Sequence, residues 1–296
     1  MSFKQLAIIG PTASGKSDLA LKIAEKTNAY ILSIDSLSIY KDINIVSAKP
    51  SVEELSQIKH FGINEIYPNE YFSVDIFANL YKKVLSTCKE QNKNLVIVGG
   101  TSFYLKSLMD GLSQLPDITQ THKLHVERKL QDLPACYAFL QNIDAKYMAK
   151  ITPNDSYRIE KALLIYEASQ ITPSEWFRQN PPKPLIKDLQ IYNIDVERPI
   201  LRQRIEKRTK TMQENGLIDE VCYLEQKYTR APHAMGAIGI VEVLEFLDGK
   251  TEKDVMLKNI ATHTAQLAKR QQTFNRTQFT DITSAKLEDL EDIILS

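Results

Sequence analysis

The stretch Gly10–Ser17, GPTASGKS, decides how this chain is read. It succeeds the apolar run Leu6-Ala7-Ile8-Ile9 and precedes Leu19, Ala20, Ile23 and Ala24, which recur at helical spacing. Strand, glycine-rich loop and helix therefore stand in the order a P-loop requires. The template GxxxxGK[ST] is met at every fixed position, from Gly10 through Pro11, Thr12, Ala13, Ser14 and Gly15 to Lys16 and Ser17. Glycines let the backbone turn tightly enough to aim successive N–H groups at one anion, and the helix after them adds its positive N-terminal end to the same spot. Lys16 brings a mobile positive charge and Ser17 a hydroxyl suited to Mg²⁺. The loop predicts a bound di- or triphosphate and leaves its identity open.

At 296 residues the chain exceeds one average domain, so a core with a second or inserted unit is expected. A hydrophobic content of 43% with 25% charged residues is that of a soluble globular protein, and no apolar run approaches the roughly 20 residues of a membrane span. Met1-Ser2-Phe3-Lys4 leads straight into the first strand, unlike a signal peptide, and a cytoplasmic protein is expected. Cys88, Cys136 and Cys222 lie far apart with no CxxC spacing, which argues against a zinc site or a disulfide framework and for buried free thiols. A formal net charge of zero gives no global sign of nucleic acid, so any basic surface must be local.

Downstream of the first helix, Tyr30–Ile34 is a short β-rich run ending in Asp35-Ser36. A strand of this kind in an α/β protein is buried on both faces, and the residues just past its carboxyl end border the ligand crevice. Asp35 is thereby expected beside the P-loop, with a turn or capping role as the alternative. Residues 39–50, IYKDINIVSAKP, read as a loop; Phe61–Ile66 could form another strand, and Val74–Lys89 an amphipathic helix through Ile76, Leu80, Val84 and Cys88. Leu95–Val98 is a buried strand ended by Gly99-Gly100-Thr101, which brings the Thr101 hydroxyl to the same edge.

From about Leu112 strands vanish. Helical segments near His122–Leu133 and Asn154–Ser169, closed by Pro181-Pro182-Lys183-Pro184, read as a helical insertion over 113–185, with 1–112 and 186–296 forming the core. Asn154 can cap the second helix, whose Arg158 and Lys161 stand three apart on one face: a solvated pair or a phosphate-facing edge. A returning strand at Leu189–Val196 precedes a helix opened by Pro199 and stopped near Gly216. Between Arg198 and Lys210 stand Arg202, Arg204, Lys207 and Arg208 against only Glu206, the strongest local candidate for polyanion contact. Three more helices are expected around Ile218–Gln226, Ile238–Leu247 and Asp254–Thr273, the last with Met256, Ile260, Thr264, Leu267 and Gln271 on one side.

Phosphate cradle, carboxylate and hydroxyl around one crevice admit two chemistries. A P-loop kinase would grip ATP and use Asp35 on the acceptor or the metal. In an alkyl transfer the cradle would grip a diphosphate leaving group, and the carboxylate would relieve an attacking amine of its proton. The loop alone slightly favours the kinase.

The order of further signatures shifts the balance. GPTASGKS, DSLSIYKDINIVSAKP from Asp35, VGGTSFY at Val98–Tyr104, TPNDSYRIEKAL at Thr152–Leu163, GAIGIVE at Gly236–Glu242 and AKRQQTFNR at Ala268–Arg276 resemble the bacterial tRNA dimethylallyltransferases, which modify adenosine 37 beside the anticodon. The likeness runs in order from residue 8 to about residue 276. Where the family has DIGTAKP this chain has Asn44, Val46 and Ser47 for the aspartate, glycine and threonine. Thr152 replaces the histidine before Pro-Asn-Asp, Ile240 the tyrosine of IGY, and Phe274-Asn275 fall in the KRQxTWFR element.

The resemblance implies a P-loop-type parallel α/β core holding dimethylallyl diphosphate through Thr12–Ser17 and Arg208, with Mg²⁺ on the diphosphate through Ser17. It implies Asp35 as general base toward the adenine N6 and Thr101 as a hydroxyl positioning the base. It further implies tRNA contacts at Asp35, Ser36, Leu37, Ser38 and Thr101 in the core, and at Lys123, Tyr157, Arg158 and Lys161 in the insertion. The partner is then the anticodon stem-loop of tRNA with adenosine 37 flipped into a channel, and the working unit a monomer. A kinase, an isopentenyltransferase acting on free adenine nucleotides and a nucleotide-dependent switch stand as alternatives in descending order.

Overall fold

The computed structural model describes residues 3–296, which divide into two compact units, 3–107 with 186–296, and 108–185. The first unit is built on strands β1 (Gln5–Ile9), β2 (Ala29–Ser33), β3 (His60–Phe61), β4 (Asn94–Gly99), β5 (Gln190–Ile194) and β6 (Thr283–Ala285). They form one parallel sheet in the order β3-β2-β4-β1-β5-β6. The central β1 pairs Ile8 with Val98 of β4 on one side and with Tyr192 of β5 on the other. Ile8, Ile9, Ile31, Leu32 and Ile97 are 0–1% exposed, as the unbroken apolar runs require of a sheet covered on both faces. Burial of each such side chain contributes about 1.5–3 kcal/mol over leaving it exposed.

Helices α1 (Lys16–Lys26), α2 (Val52–Gln57), α3 (Val74–Glu90) and α4 (Ser102–Asp110) alternate with the first four strands. In α3 the buried face is Phe77, Ala78, Tyr81, Val84 and Cys88, while Ile76 is exposed, so the helix is turned from the Ile76–Leu80 stripe toward its larger aromatic residues. Strand β3 shrinks to His60–Phe61, and Ile66 makes only an isolated bridge with Tyr40.

In the second unit lie α5 (Gln120–Lys129), α6 (Leu133–Ile143), α7 (Ala145–Met148), α8 (Ser156–Ser169) and α9 (Pro173–Gln179) around Val126, Leu140, Met148, Ile159 and Leu163. The expected helix over His122–Leu133 ends at Lys129 instead. Asp132 then caps α6, its Oδ1 accepting from the Ala135 N–H at 3.0 Å, with Pro134 in the first turn. Helix α8 is capped by Asp155, not Asn154: Asp155 Oδ1 accepts from the Arg158 N–H at 3.1 Å.

Back in the first unit come α10 (Arg198–Glu214), α11 (Leu217–Tyr228), a short 3₁₀ turn (His233–Gly236), α12 (Ile240–Leu247), α13 (Lys253–Gln278) and α14 (Leu287–Leu295). Asn215 closes α10, and Gly216, in left-handed backbone at φ 94°, stops it as expected and also begins α11. Helix α13 runs to Gln278, past the expected Thr273. Among the described residues no helix is long and apolar enough to cross a membrane. Cys88 and Cys136 are buried, whereas Cys222 is exposed, against the expectation for all three.

Candidate active site

The P-loop leaves the carboxyl end of β1. Ala13 (φ 62°) and Gly15 (φ 90°) take left-handed backbone, which alternates the amide directions and turns them into a concavity at the start of α1. A Cβ on Gly15 would lie 2.6 Å from Leu287 Cδ2, so Leu287 would have to shift, and the positive φ itself disfavours a side chain there. Lys16 Nζ folds back to donate to the Pro11 carbonyl at 3.1 Å. Burial pushes its pKa down to about 8; the Asp35 carboxylate works against this and Arg208 adds to it. Ser17 is exposed at the first turn of α1.

Asp35 stands two residues beyond β2. Its N–H donates to Ser33 Oγ (3.2 Å), and its Oδ1 accepts from the N–H groups of Leu37 (2.9 Å) and Ser38 (3.2 Å). The turn role thus takes one oxygen of this carboxylate. Oδ2 makes no hydrogen bond among the described residues. Thr101, just past β4, accepts from the Ser36 N–H at 3.2 Å and donates to Ser36 Oγ at 3.3 Å, which joins the two strand ends.

Two cavities meet at these groups. The smaller, about 60 Å³, is lined by Lys16, Ser17, Ser33, Asp35, Ser38 and Arg208. The larger, about 410 Å³, has a polar side of Asp35, Ser36, Thr101 and Gln271 and an apolar side of Val46, Met212, Ile238, Ile260 and Leu267. Its volume is that of a small-ligand site, roughly 300–1,000 Å³. Thr12, Asp35 and Arg208 line both. Arg208 rises from the middle of α10, where burial lowers its pKa and the Asp35 carboxylate partly restores it. A half-buried guanidinium and a half-buried ammonium that share the influence of one carboxylate leave positive charge to be neutralised by an anion.

Tyr40, Phe72 and Tyr104 add an aromatic wall to the larger cavity. Tyr104 lies edge-on to Phe72 (centroids 5.8 Å) and stacks on Phe77 (4.9 Å). Burial pushes the Tyr104 pKa up to about 12, so it stays a neutral hydroxyl. Sequence reading also missed Gln271 and Arg204 as site residues. Gln271 Oε1 accepts from the Thr12 N–H at 2.8 Å, tying α13 to the P-loop, and Arg204 donates to the Ser14 carbonyl at 3.2 Å. A Cβ on Gly100 would come 2.4 Å from Gln271 Nε2, so the second glycine of the pair admits this glutamine. The AKRQQTFNR stretch held the signal for Gln271, whose helical spacing from Leu267 made it look like one side of an apolar face.

The sequence model of the IPP transferases, IPPT, matches residues 38–278. The chain belongs to the IPP transferase family. It is 68% identical to a tRNA dimethylallyltransferase of Sulfurimonas denitrificans over 99% of this chain and 98% of that one. It is 39% identical to that of Helicobacter pylori over 99% and 93%. Among solved structures it resembles the full-length tRNA isopentenylpyrophosphate transferase of Bacillus halodurans (TM-score 0.72, 27% identity, 99% and 96% covered). A eukaryotic dimethylallyltransferase acting on tRNA gives a TM-score of 0.84 at 25% identity, with 98% and 76% covered. The core is the P-loop NTPase-like α/β fold of this family.

Several positions where this chain differs from the family pattern turn inward. Val46 is buried on the cavity wall, Ile240 is fully buried, and Asn275, 2% exposed, donates from Nδ2 to Asn193 Oδ1 at 3.1 Å. Within the second unit, Tyr157 and Arg158 are exposed on the first turn of α8, and Lys123 is exposed on α5. Arg158 pairs with Asp155; Lys161 donates to Glu160 at 3.1 Å and sits 5.2 Å over the Tyr157 ring. Tyr157 and Lys161 therefore form an aromatic and basic pair on α8, with Arg158 held separately by its capping Asp155.

Proposed function

We propose that this tRNA-modifying prenyltransferase moves a dimethylallyl group from dimethylallyl diphosphate to N6 of adenosine 37, releasing diphosphate. The observation that carries the reading is that Asp35 and Arg208 stand where an anion cradle opens into a partly apolar cavity of about 410 Å³. The allylic C1–O bond breaks as the N6–C1 bond forms, and negative charge gathers on the departing diphosphate. Lys16, Arg208 and the loop amides offset that charge, and the guanidinium suits phosphate oxygens because it binds them bidentately. An exocyclic amine is a poor nucleophile because its lone pair is delocalised into the ring. In this reading Asp35 Oδ2 takes its proton, and Thr101 holds the base.

Mg²⁺ fits this donor set. The Ser17 hydroxyl and the Asp35 carboxylate line one small polar cavity, and an ion that keeps waters and substrate phosphates needs few protein ligands. Among the described residues no group of three acidic, histidine or cysteine side chains offers an all-protein site. When bound, the ion would neutralise diphosphate oxygens.

To reach this cavity the adenine must leave its stack, so the acceptor enters as a flipped nucleoside. The exposed group on α8 and Lys123 suit phosphates and splayed bases of the anticodon stem-loop. The working unit in this reading is a monomer, and the acceptor supports action in the cytoplasm. The test is incubation with labelled dimethylallyl diphosphate, Mg²⁺ and unmodified tRNA, with label expected on the tRNA. Incorporation into AMP but not tRNA would replace this reading by one on free nucleotides, and γ-phosphoryl transfer from ATP by a kinase.

A further inference from the structure

The wall of the larger cavity beside Arg208 is the loop after Tyr40, and this loop is tied to α11. Three successive backbone N–H groups converge on one carboxylate, that of Glu220. Asn44 donates to Oε2 at 2.9 Å, Ile45 to Oε2 at 2.8 Å and Oε1 at 3.0 Å, and Val46 to Oε1 at 3.0 Å. Such a row of amides is an anion-binding concavity. Here the anion belongs to the chain itself.

Two further ties fix the same loop. Asp42 Oδ2 accepts from Lys227 Nζ (2.8 Å) and from the Tyr228 hydroxyl (2.5 Å), both on α11. Lys49 Nζ donates to the Tyr40 carbonyl (2.6 Å), Asn64 Oδ1 (2.7 Å) and Asn44 Oδ1 (3.1 Å). Asp42 (φ 66°) and Ala48 (φ 47°) hold left-handed backbone that side chains disfavour, so the loop keeps its shape only because its surroundings over-determine it.

What the loop presents is the Ser47 carbonyl. It accepts the one hydrogen bond the Arg208 guanidinium makes to the protein among the described residues, from NH2 at 3.4 Å. A bond this long is lost with a displacement of a few tenths of an ångström. We propose that Glu220 is a positioning residue for the transfer: by gathering the amides of residues 44–46 it sets the height of the Ser47 carbonyl and so aims the Arg208 guanidinium at the leaving diphosphate. The inference rests on the prenyl-transfer reading for its kinetic form, and on geometry alone for its effect on diphosphate binding.

Glu220→Gln keeps the shape of the side chain, removes its charge and turns an NH₂ group toward N–H donors. It is measured against wild type, Glu220→Asp, Arg208→Lys and the double variant Glu220→Gln with Arg208→Lys, by steady-state prenylation and by calorimetry with inorganic pyrophosphate and Mg²⁺. Glu220→Gln is expected to lower kcat/KM for dimethylallyl diphosphate about tenfold with KM for tRNA unchanged, and Glu220→Asp to fall between it and wild type. On the Arg208→Lys background the same change should cost less than about twofold, in kinetics and in pyrophosphate affinity alike. Equal losses on both backgrounds, a loss confined to KM for tRNA, or Glu220→Asp worse than Glu220→Gln would overturn the proposal. A wild-type chain that binds pyrophosphate but transfers no prenyl group would remove the activity reading and leave the pyrophosphate cycle to decide.

Discussion

Replacing Lys16 by methionine separates what this side chain does for the ligand from what it costs the fold. Its pKa is pushed from 10.5 down to about 8, first by burial, then by Arg208, with Asp35 opposing. The gap corresponds to roughly 3 kcal/mol against the ammonium form in the empty site. Between pH 8 and 10.5 the unfolded chain binds a proton at this position that the folded chain has lost, so this group makes stability rise with pH there. Below about pH 8 its penalty is fully present. Lys16→Met should therefore melt several degrees higher than wild type at pH 7, with the advantage shrinking steadily above about pH 8.

Ligand binding has the opposite sign. A diphosphate needs the charged ammonium, so wild-type affinity for pyrophosphate, taken relative to Lys16→Met at each pH, should fall as pH rises through about 8, approaching tenfold per pH unit. Asp35→Asn removes the neighbour that favours the charge and should move this fall to lower pH. Arg208→Gln should move it higher. Thermal melts and calorimetry from about pH 6 to 9.5 decide the matter. A Lys16→Met chain no more stable than wild type at neutral pH, or a stability difference flat across that range, would refute the account of a charge held in the site at a cost to folding.

Asp35→Asn keeps an oxygen for the Leu37 and Ser38 amides, so melting should change little while turnover drops by about 10²–10⁴-fold and pyrophosphate still binds; equal loss of binding would make Asp35 structural. Gly100→Ala must displace Gln271 from the Thr12 N–H, and should weaken pyrophosphate binding by about 1 kcal/mol with little effect on melting; unchanged binding would show that Gln271 does not hold the loop. Affinity for tRNA should fall with added salt, and a flat response would count against the RNA reading. A thiol reagent should label Cys222 quickly and leave Cys88, whose pKa is pushed up to about 11 by burial, until the chain is unfolded.

The core was legible because its signals are local. An apolar run, a glycine loop and an amphipathic helix specify β1, P-loop and α1, and parallel strands deliver the residues after them to one edge, which is why Asp35 and Thr101 meet through Ser36. Strand β6 escaped because Thr283-Ser284-Ala285 carries no strand pattern; it exists through pairing of Tyr192 with Thr283 and of Ile194 with Ala285 at an edge. The α8 cap went to Asp155 over Asn154 because adjacent Asx residues offer the same chemistry and only backbone geometry chooses between them. Gln271 and Glu220 act across 259 and about 175 residues of chain respectively. No spacing rule in a single sequence reaches that far.

The same long range governs the positions that depart from the family pattern. Val46, where relatives by motif have glycine, brings its Cγ1 to 3.3 Å from where a Cβ on Gly239 would stand. The next residue, Ile240, replaces a tyrosine, is fully buried and belongs to the same core cluster as Val46, Met212 and Ile260. Side-chain volume is gained on the loop and given up on α12, and a core tolerates paired changes that keep its filling better than either one alone. Val46→Gly alone should then lower the melting temperature more than Val46→Gly combined with Ile240→Tyr; a double variant that melts below the single one would refute the compensation. Because Val46 also lines the larger cavity, its exchange changes that wall while leaving Lys16, Asp35, Thr101 and Arg208 in place.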